Sequence, residues 1–424
     1  MNHDNYEGKS PLFGQKKIVF DDKLMESDED KGEETNTIKE EKLSKQQMSE
    51  LVEIIDSIDP IMKEHSNILK DIKETQGTLT IVITGANGYL GTHIVKEALE
   101  RGYKVVAGVY SNSERQNLKY LNKLKVEHGT KMTIVSFDMC KLDDSENLIK
   151  GSNVVIHCAA VSRKQRVHDL INVLYPEIEG VLNILNACVK NKVSRFILAT
   201  SVSNVAAGKY RKVYNETHWA HPDDCDDFEK SQLFVEKTAM NFVEDKEGQI
   251  NITVFCSGML VGPLLKESDT SGSVIFFKNL INNKFEKIMN LKIPLVDVRD
   301  LSTIMVASVE KVATFNQRYI VTENLYWLED LYKLVQQDRK KQLFQKPSLI
   351  SKVYLKFLSF FDEDLKKIME FYGKNYKFDN DKMQRDIGIK FRRIDESIGD
   401  MILSYEKFGV ISYFDGKLQV SHPE

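Results

Sequence analysis

The chain has 424 residues, with 59 Lys and Arg against 63 Asp and Glu and a formal net charge of −4. This length holds one large domain or two smaller ones, 42 % hydrophobic residues are enough for a core, and the balanced charge lacks the basic footprint of a nucleic-acid binder. Five cysteines without a CxxC spacing speak against a disulfide framework, and nine histidines without an HxxxH or HExxH pair signal no metal site.

No run of about 18 apolar residues is present, so no membrane span is expected. The N-terminus lacks the basic and apolar regions of a secretory signal and is too acidic for a transit peptide, so a cytoplasmic protein is expected. Residues 1–36 read as a disordered acidic segment. Between Asp21 and Glu34, eight acids face only Lys23 and Lys31, too little apolar surface to offset the entropy of ordering. Residues 37–78 read as a helical extension. Leu43, Leu51, Ile54, Ile55, Ile58, Met62 and Leu69 recur at roughly helical spacing, interrupted by Pro60. Its apolar face either docks on the main domain or serves a protein partner.

From Leu79 the pattern alternates. Leu79–Thr84, Tyr103–Tyr110, Met132–Phe137, Asn153–Cys158, Arg195–Thr200 and Ile252–Cys256 read as strands, several of them β-branched runs suited to burial on both faces. Helical patterns separate them, including a long one over 168–191. Such alternation predicts βαβ units with right-handed crossovers: an α/β, Rossmann-type, doubly wound parallel sheet over 79–257. Residues 258–424 are more mixed and are expected to form mainly a smaller substrate lobe.

The sharpest local signal is Thr84-Gly85-Ala86-Asn87-Gly88-Tyr89-Leu90-Gly91, directly after a buried strand and opening a helix. Glycine allows the tight turn, the close approach of backbone to a pyrophosphate and the packing of helix on strand; the helix N-terminus offers N–H groups to phosphate. Dinucleotide binding is the reading of this loop in this context. An NAD site has an acid at the end of the second strand, about 20 residues on. Here Val109-Tyr110-Ser111-Asn112-Ser113-Glu114-Arg115 ends the strand without one. Arg115 therefore favours NADP, with NAD as the alternative.

The loop, together with Asp297-Val298-Arg299-Asp300 and Val261-Gly262-Pro263-Leu264-Leu265, resembles the extended short-chain dehydrogenase/reductases of the NAD-dependent epimerase/dehydratase superfamily. More narrowly it resembles the dihydroflavonol-4-reductase-like branch, over about 79–411. The resemblance implies an NADP-dependent reductase of an aldehyde or ketone that works through Ser, Tyr and Lys. The tyrosine would donate the proton, the lysine would lower its pKa and hold the nicotinamide ribose, and the serine would position the carbonyl. Matched position by position, the serine is Ser201, with Ser203 second, and the lysine is Lys237. The tyrosine position is Leu233, which has no proton to give. Tyr210, Tyr214 and His218 lie in the preceding loop as substitute donors. The implied cofactor contacts are Gly85, Asn87, Gly88, Tyr89, Leu90, Gly91, Arg115, Asp138 and Met139 after the third strand, Ala159 after the fourth, and Lys237. His157 reads as a packed strand residue, and Asp297 and Arg299 as a structural pair. Two functions stay open: a carbonyl reductase, impaired or with another acid, and an inactive NADP-binding module that regulates or recruits a partner.

Overall fold

The strand Thr80–Thr84 (β1) buries Ile81, Val82 and Ile83 completely, and the direction each side chain takes explains the layering. In a strand successive side chains point to opposite faces. Ile81 and Ile83 join one apolar cluster and Val82 another. Val154 and Ile156 of the strand paired with it join the first, and Val155 the second. A sheet that is apolar on both faces must be covered on both faces.

The computed structural model describes residues 77–110, 115–160, 170–246, 248–269, 271–282, 284–338, 347–414 and 417–419. The acidic segment 1–36 and all but the last two residues of the extension 37–78 lie outside the described residues. Within them, β1 is followed by β2 (Lys104–Tyr110), β3 (Met132–Phe137), β4 (Val154–His157), β5 (Arg195–Ser201) and β6 (Asn251–Ser257). Two short lobe strands come next, β7 (Met259–Val261) and β8 (Lys292–Asp297), then β9 (Gln317–Val321) and β10 (Asn324–Trp327). The main sheet is parallel throughout, in the order β9-β6-β5-β4-β1-β2-β3.

The helices used below are α1 (Tyr89–Glu100), α2 (Arg115–His128), α3 (Leu142–Ile149), α4 (Leu170–Lys190), α5 (Asp227–Asp245), α6 (Gly272–Ile281), α7 (Val298–Ala307), α8 (Leu328–Asp338), α9 (Lys352–Leu358), α10 (Glu363–Met369) and α11 (Ile394–Lys407). Ile94 and Leu99 of α1, Leu121 of α2 and Ile304 of α7 pack on one face of the sheet. Leu148 of α3, Ile184 and Leu185 of α4, and Ala239 and Val243 of α5 pack on the other. This is the expected doubly wound α/β architecture, and strand order reverses between β1 and β4. Ligands in such sheets lie outside the carboxyl ends of the strands at that reversal.

Residues beyond Gly258 do more than build the lobe. β7, β8 and β10 form its small sheet, and a third core gathers Val261, Leu264, Phe277, Leu331, Ile398 and Met401. But α7 covers the main sheet, and β9 returns to pair with β6 as its last strand. Periodicity could not show this, because β9 is a five-residue strand whose partner lies some 60 residues back.

β9 carries Arg318, whose Nε donates to Glu236 Oε1 of α5 at 2.5 Å; Arg318 is 6 % exposed and Glu236 fully buried. Arg318 also donates to the carbonyls of Glu216 and His218 and lies 3.7 Å from the centre of the Trp219 ring. Glu236 also accepts from Thr200 Oγ1 and Asn204 Nδ2. Removing one partner of a buried pair strands the other charge. Arg318→Met is therefore expected to cost about 3–5 kcal/mol in urea unfolding. The double variant Arg318→Met/Glu236→Leu should be more stable than the single one. Equal stability of Arg318→Met and the parent chain would show that the pair is solvated.

Candidate functional site

β1 delivers the chain into a turn that only glycine can make. Gly85 has φ +65°, and a Cβ there would lie 2.8 Å from the backbone N and Cα of Ala159, in the segment leaving β4. At Gly91 a Cβ would meet the carbonyl oxygen of Gly85 at 2.1 Å. At Gly88 it would stand 3.2 Å from the same oxygen. Gly88 is also the N-cap of α1, and no side chain caps this helix. The N–H groups of its first turn therefore stand at the loop without a side-chain acceptor, in the geometry that binds anions. Thr92 Oγ1 donates to the Gly88 carbonyl at 2.7 Å and holds the turn. Tyr89 points into the lobe. Its hydroxyl donates to the Gly262 carbonyl at 2.7 Å, and burial pushes its pKa well above the usual value.

A groove of about 2170 Å³ starts at this loop and runs over the carboxyl ends of β1, β3, β4 and β5 into the lobe. Of the residues singled out from sequence, Gly85, Asn87, Gly88, Tyr89, Leu90, Gly91, Asp138, Met139, Ala159 and Ser201 line it. Asp138 follows β3 and accepts the Cys140 N–H at 3.1 Å, while Asn183 Nδ2 holds the Met139 carbonyl at 3.0 Å. Arg115 is the first residue of α2, and its side chain lies outside the described ones; the groove wall carries Tyr110 and Asn117. His157 is a buried strand residue, paired with Thr84 Oγ1 at 2.8 Å and stacked on Phe196; burial lowers its pKa to about 4. Cys140 and Cys158 also line the groove, and burial pushes their thiols to about 11 and 12. Arg299 binds both carboxylate oxygens of Asp297 and reaches Asp400 at 2.7 Å, a structural cluster in the lobe.

Ser201 is the last residue of β5, and its Oγ accepts the Ser203 N–H at 3.2 Å. Ser203 Oγ is buried without a hydrogen-bond partner among the described residues, and Ser203 lies on the same wall. α5 presents Phe228, Glu229 and Gln232 to the groove. Leu233 is fully buried instead, among Ala207, Ala220 and Cys225. Lys237, one turn on, is half-buried with its ammonium 5.5 Å from the centre of the Trp219 ring; burial and then Arg318 lower its pKa. The structure thus brings Ser201 to the glycine loop's groove, while Leu233 and Lys237 face the 207–225 segment.

None of the three substitute donors lines the groove. Tyr210 donates to the Asn375 carbonyl. Tyr214 is buried, bonded to Lys209 and Arg211, with its pKa raised to about 12 by burial. His218 accepts the Asn215 N–H. Sequence reasoning missed Asn117, Gln232 and Lys266. Lys266 lies on the lobe wall with its ammonium 3.8 Å from Asp269, and burial lowers its pKa. Only its place after Val261–Leu265 could have singled it out. Among the described residues no group of three or more His, Cys, Asp or Glu is placed to hold a metal.

Fold and groove define a doubly wound dinucleotide-type α/β protein with a second lobe closing the site. The NAD dependent epimerase/dehydratase family matches residues 81–321, more than half of the chain, and the chain belongs to that family. It is similar to tetraketide alpha-pyrone reductase 1 of Arabidopsis thaliana, 28 % identical over 349 residues that span 78 % of this chain and 97 % of the relative. Cinnamoyl-CoA reductase CAD2 of Medicago truncatula is 28 % identical over 261 residues, 59 % of this chain and 78 % of that protein. Among solved structures, yeast methylglyoxal/isovaleraldehyde reductase Gre2 complexed with NADPH superposes with a TM-score of 0.62 at 22 % identity, covering 78 % of this chain and 99 % of Gre2.

Leu233 is fully buried among Ala207, Ala220 and Cys225, so a bulkier phenol side chain there would overpack the cluster. Leu233→Tyr is expected to destabilise the protein by about 1–3 kcal/mol in urea unfolding, as overpacked cores do. An unchanged midpoint would mean that the phenol finds space, and then it would reach toward the groove.

Proposed function

We propose that the chain binds NADP(H) along this groove and reduces the carbonyl group of an aldehyde or ketone. The observation that carries the reading is the cradle from Gly85 to Gly91. Two of its glycines exclude any Cβ, and its helix N-terminus is uncapped by side chains, at the point where strand order reverses. These residues fit a dinucleotide, and the unpartnered Ser203 hydroxyl fits a polar group further along the wall. Two of the relatives named above are themselves called reductases of pyrone and acyl-CoA compounds, and Gre2 is named for two aldehydes.

In this reading the first turn of α1, with Asn87, Tyr89 and Leu90, holds the pyrophosphate. Arg115 pairs with the 2′-phosphate, while Asp138 and Met139 border the adenine side. Ala159 keeps the passage beside β4 narrow and smooth. Ser201, with Ser203 second, positions the substrate carbonyl, and the proton of the alcohol comes from water in the groove. Bound there, the reduced nicotinamide supplies the hydride. Lys237 takes the ribose hydroxyls only by leaving Trp219. The second reading, a binding module without turnover, is favoured by one observation: the tyrosine position holds Leu233, sealed from the groove. The enzyme reading gives the polar wall at Ser201 a use, and it is preferred.

Calorimetric titration with NADPH, followed by NADPH consumption with a panel of aldehydes and ketones, separates the two. Binding with turnover that falls in Ser201→Ala supports the reductase; tight binding without turnover supports the module. Gly88→Asp puts a carboxylate at the phosphate position and is expected to abolish NADPH binding with the fold intact. Unchanged affinity would remove the cradle from the cofactor site. Arg115→Ala should weaken NADPH by about 1.5–3 kcal/mol, the range of a hydrogen bond to a charged group, and leave NADH nearly untouched. Equal losses for both cofactors would take the 2′-phosphate away from Arg115.

A further inference from the structure

The large apolar side chains that remain exposed are unevenly spread. Leu349, Val353, Tyr354, Phe357, Phe360 and Phe361 fall in one stretch, and Val353, Phe360 and Phe361 are 80 %, 76 % and 79 % exposed. Single exposed apolar residues are ordinary; a contiguous patch marks a contact. The patch is built rather than loose. Ser348–Leu349 pairs with Lys287–Ile288, and α9 is anchored by the buried Leu355. Asp362 caps α10 by accepting the Leu365 N–H at 3.0 Å, and Tyr372 donates to the Ile350 carbonyl at 2.7 Å. The Phe357 and Phe361 rings lie 5.6 Å apart, edge to face. The fold thus holds aromatic side chains outward that its own core does not use.

Charge narrows the choice of what covers them. Lys352 and Lys356 are exposed on α9 itself. In the sequence, Arg339, Lys340, Lys341 and Lys346 precede them, and no acid occurs from Arg339 to Phe361, in a chain of net charge −4. Acids resume only at Asp362, on the α10 side. A two-fold interface joins a patch to itself, so a second copy would bring the same exposed Lys352 and Lys356 to the contact. Aromatic rings among lysines instead match the boundary between headgroups and acyl chains of an anionic bilayer. There the rings bury and the ammonium groups meet lipid phosphates. No helix among the described residues is long and apolar enough to cross a membrane, so the contact is peripheral.

We propose that Leu349–Phe361 is a membrane-surface dock, which seats the protein on anionic lipid through Val353, Tyr354, Phe357, Phe360 and Phe361 with Lys352 and Lys356. The test is co-sedimentation of the full chain with phosphatidylcholine vesicles, with and without phosphatidylserine. The expected result is binding to the anionic vesicles that weakens as salt rises. The triple variant Phe357→Ser/Phe360→Ser/Phe361→Ser should lose at least about tenfold in partitioning, because three rings no longer bury. All three positions are exposed, so its urea midpoint should match that of the parent chain. Lys352→Glu/Lys356→Glu should abolish the preference for anionic over neutral vesicles. Failure of the parent chain to sediment with anionic vesicles would overturn the proposal, as would undiminished binding of the triple variant. A parent dimer in analytical ultracentrifugation that the triple variant converts to monomer, without any vesicle binding, would overturn it in favour of self-association.

Discussion

A carboxylate and a guanidinium withdrawn from water, Glu236 and Arg318, set the arrangement of everything around the candidate catalytic end. Neither charge could stay buried alone, since the desolvation of an unpaired ion exceeds what packing returns. Their pairing joins α5 to the edge strand β9, and the remaining bonds draw in Thr200 at the end of β5 and the segment from Asn204 to His218. It also decides the rotation of α5 about its own axis. With Glu236 turned into the protein, Gln232 one turn earlier faces the groove, and Leu233, about 100° further round, is carried into the Ala207–Cys225 pocket. The same rotation stands Lys237 against Trp219.

The phosphate loop and the second lobe are joined in a similar way by a single side chain. Tyr89 leaves the first position of α1, crosses to the lobe and donates to the Gly262 carbonyl. The neighbouring His93 lies edge-on to Tyr89 and pairs with the Pro263 carbonyl at 2.9 Å. A helix that presents its N-terminus to the groove thereby also grips the segment on which Leu264 and Lys266 stand. The two walls of the groove are positioned by one element.

Where the sequence could be read, a local rule sufficed. Ile81, Val82 and Ile83, and likewise Val154, Val155 and Ile156, are apolar in unbroken succession because both faces of their strands are covered, and that is visible without knowing the partners. The glycine spacing from Gly85 to Gly91 is visible because a Cβ at either of these two positions would collide with backbone. What stayed hidden depends on distant pairs. Nothing local marks Arg318 as the partner of Glu236, or Gln317–Val321 as a strand of the main sheet. The identity of Leu233 was legible, but the direction it faces was not, since that follows from the charge three residues later. Gln232 and Lys266 enter the groove only through such long-range geometry.

The thiols on the groove wall have a consequence of their own. Cys158 donates its S–H to the Thr84 carbonyl at 2.9 Å, and Cys140 to the Pro176 carbonyl at 3.7 Å. Both are held protonated far above neutral pH by burial. Only the thiolate is a strong nucleophile. If the groove takes a carbonyl substrate, as proposed, it is lined with sulfur held in the form that attacks such compounds poorly.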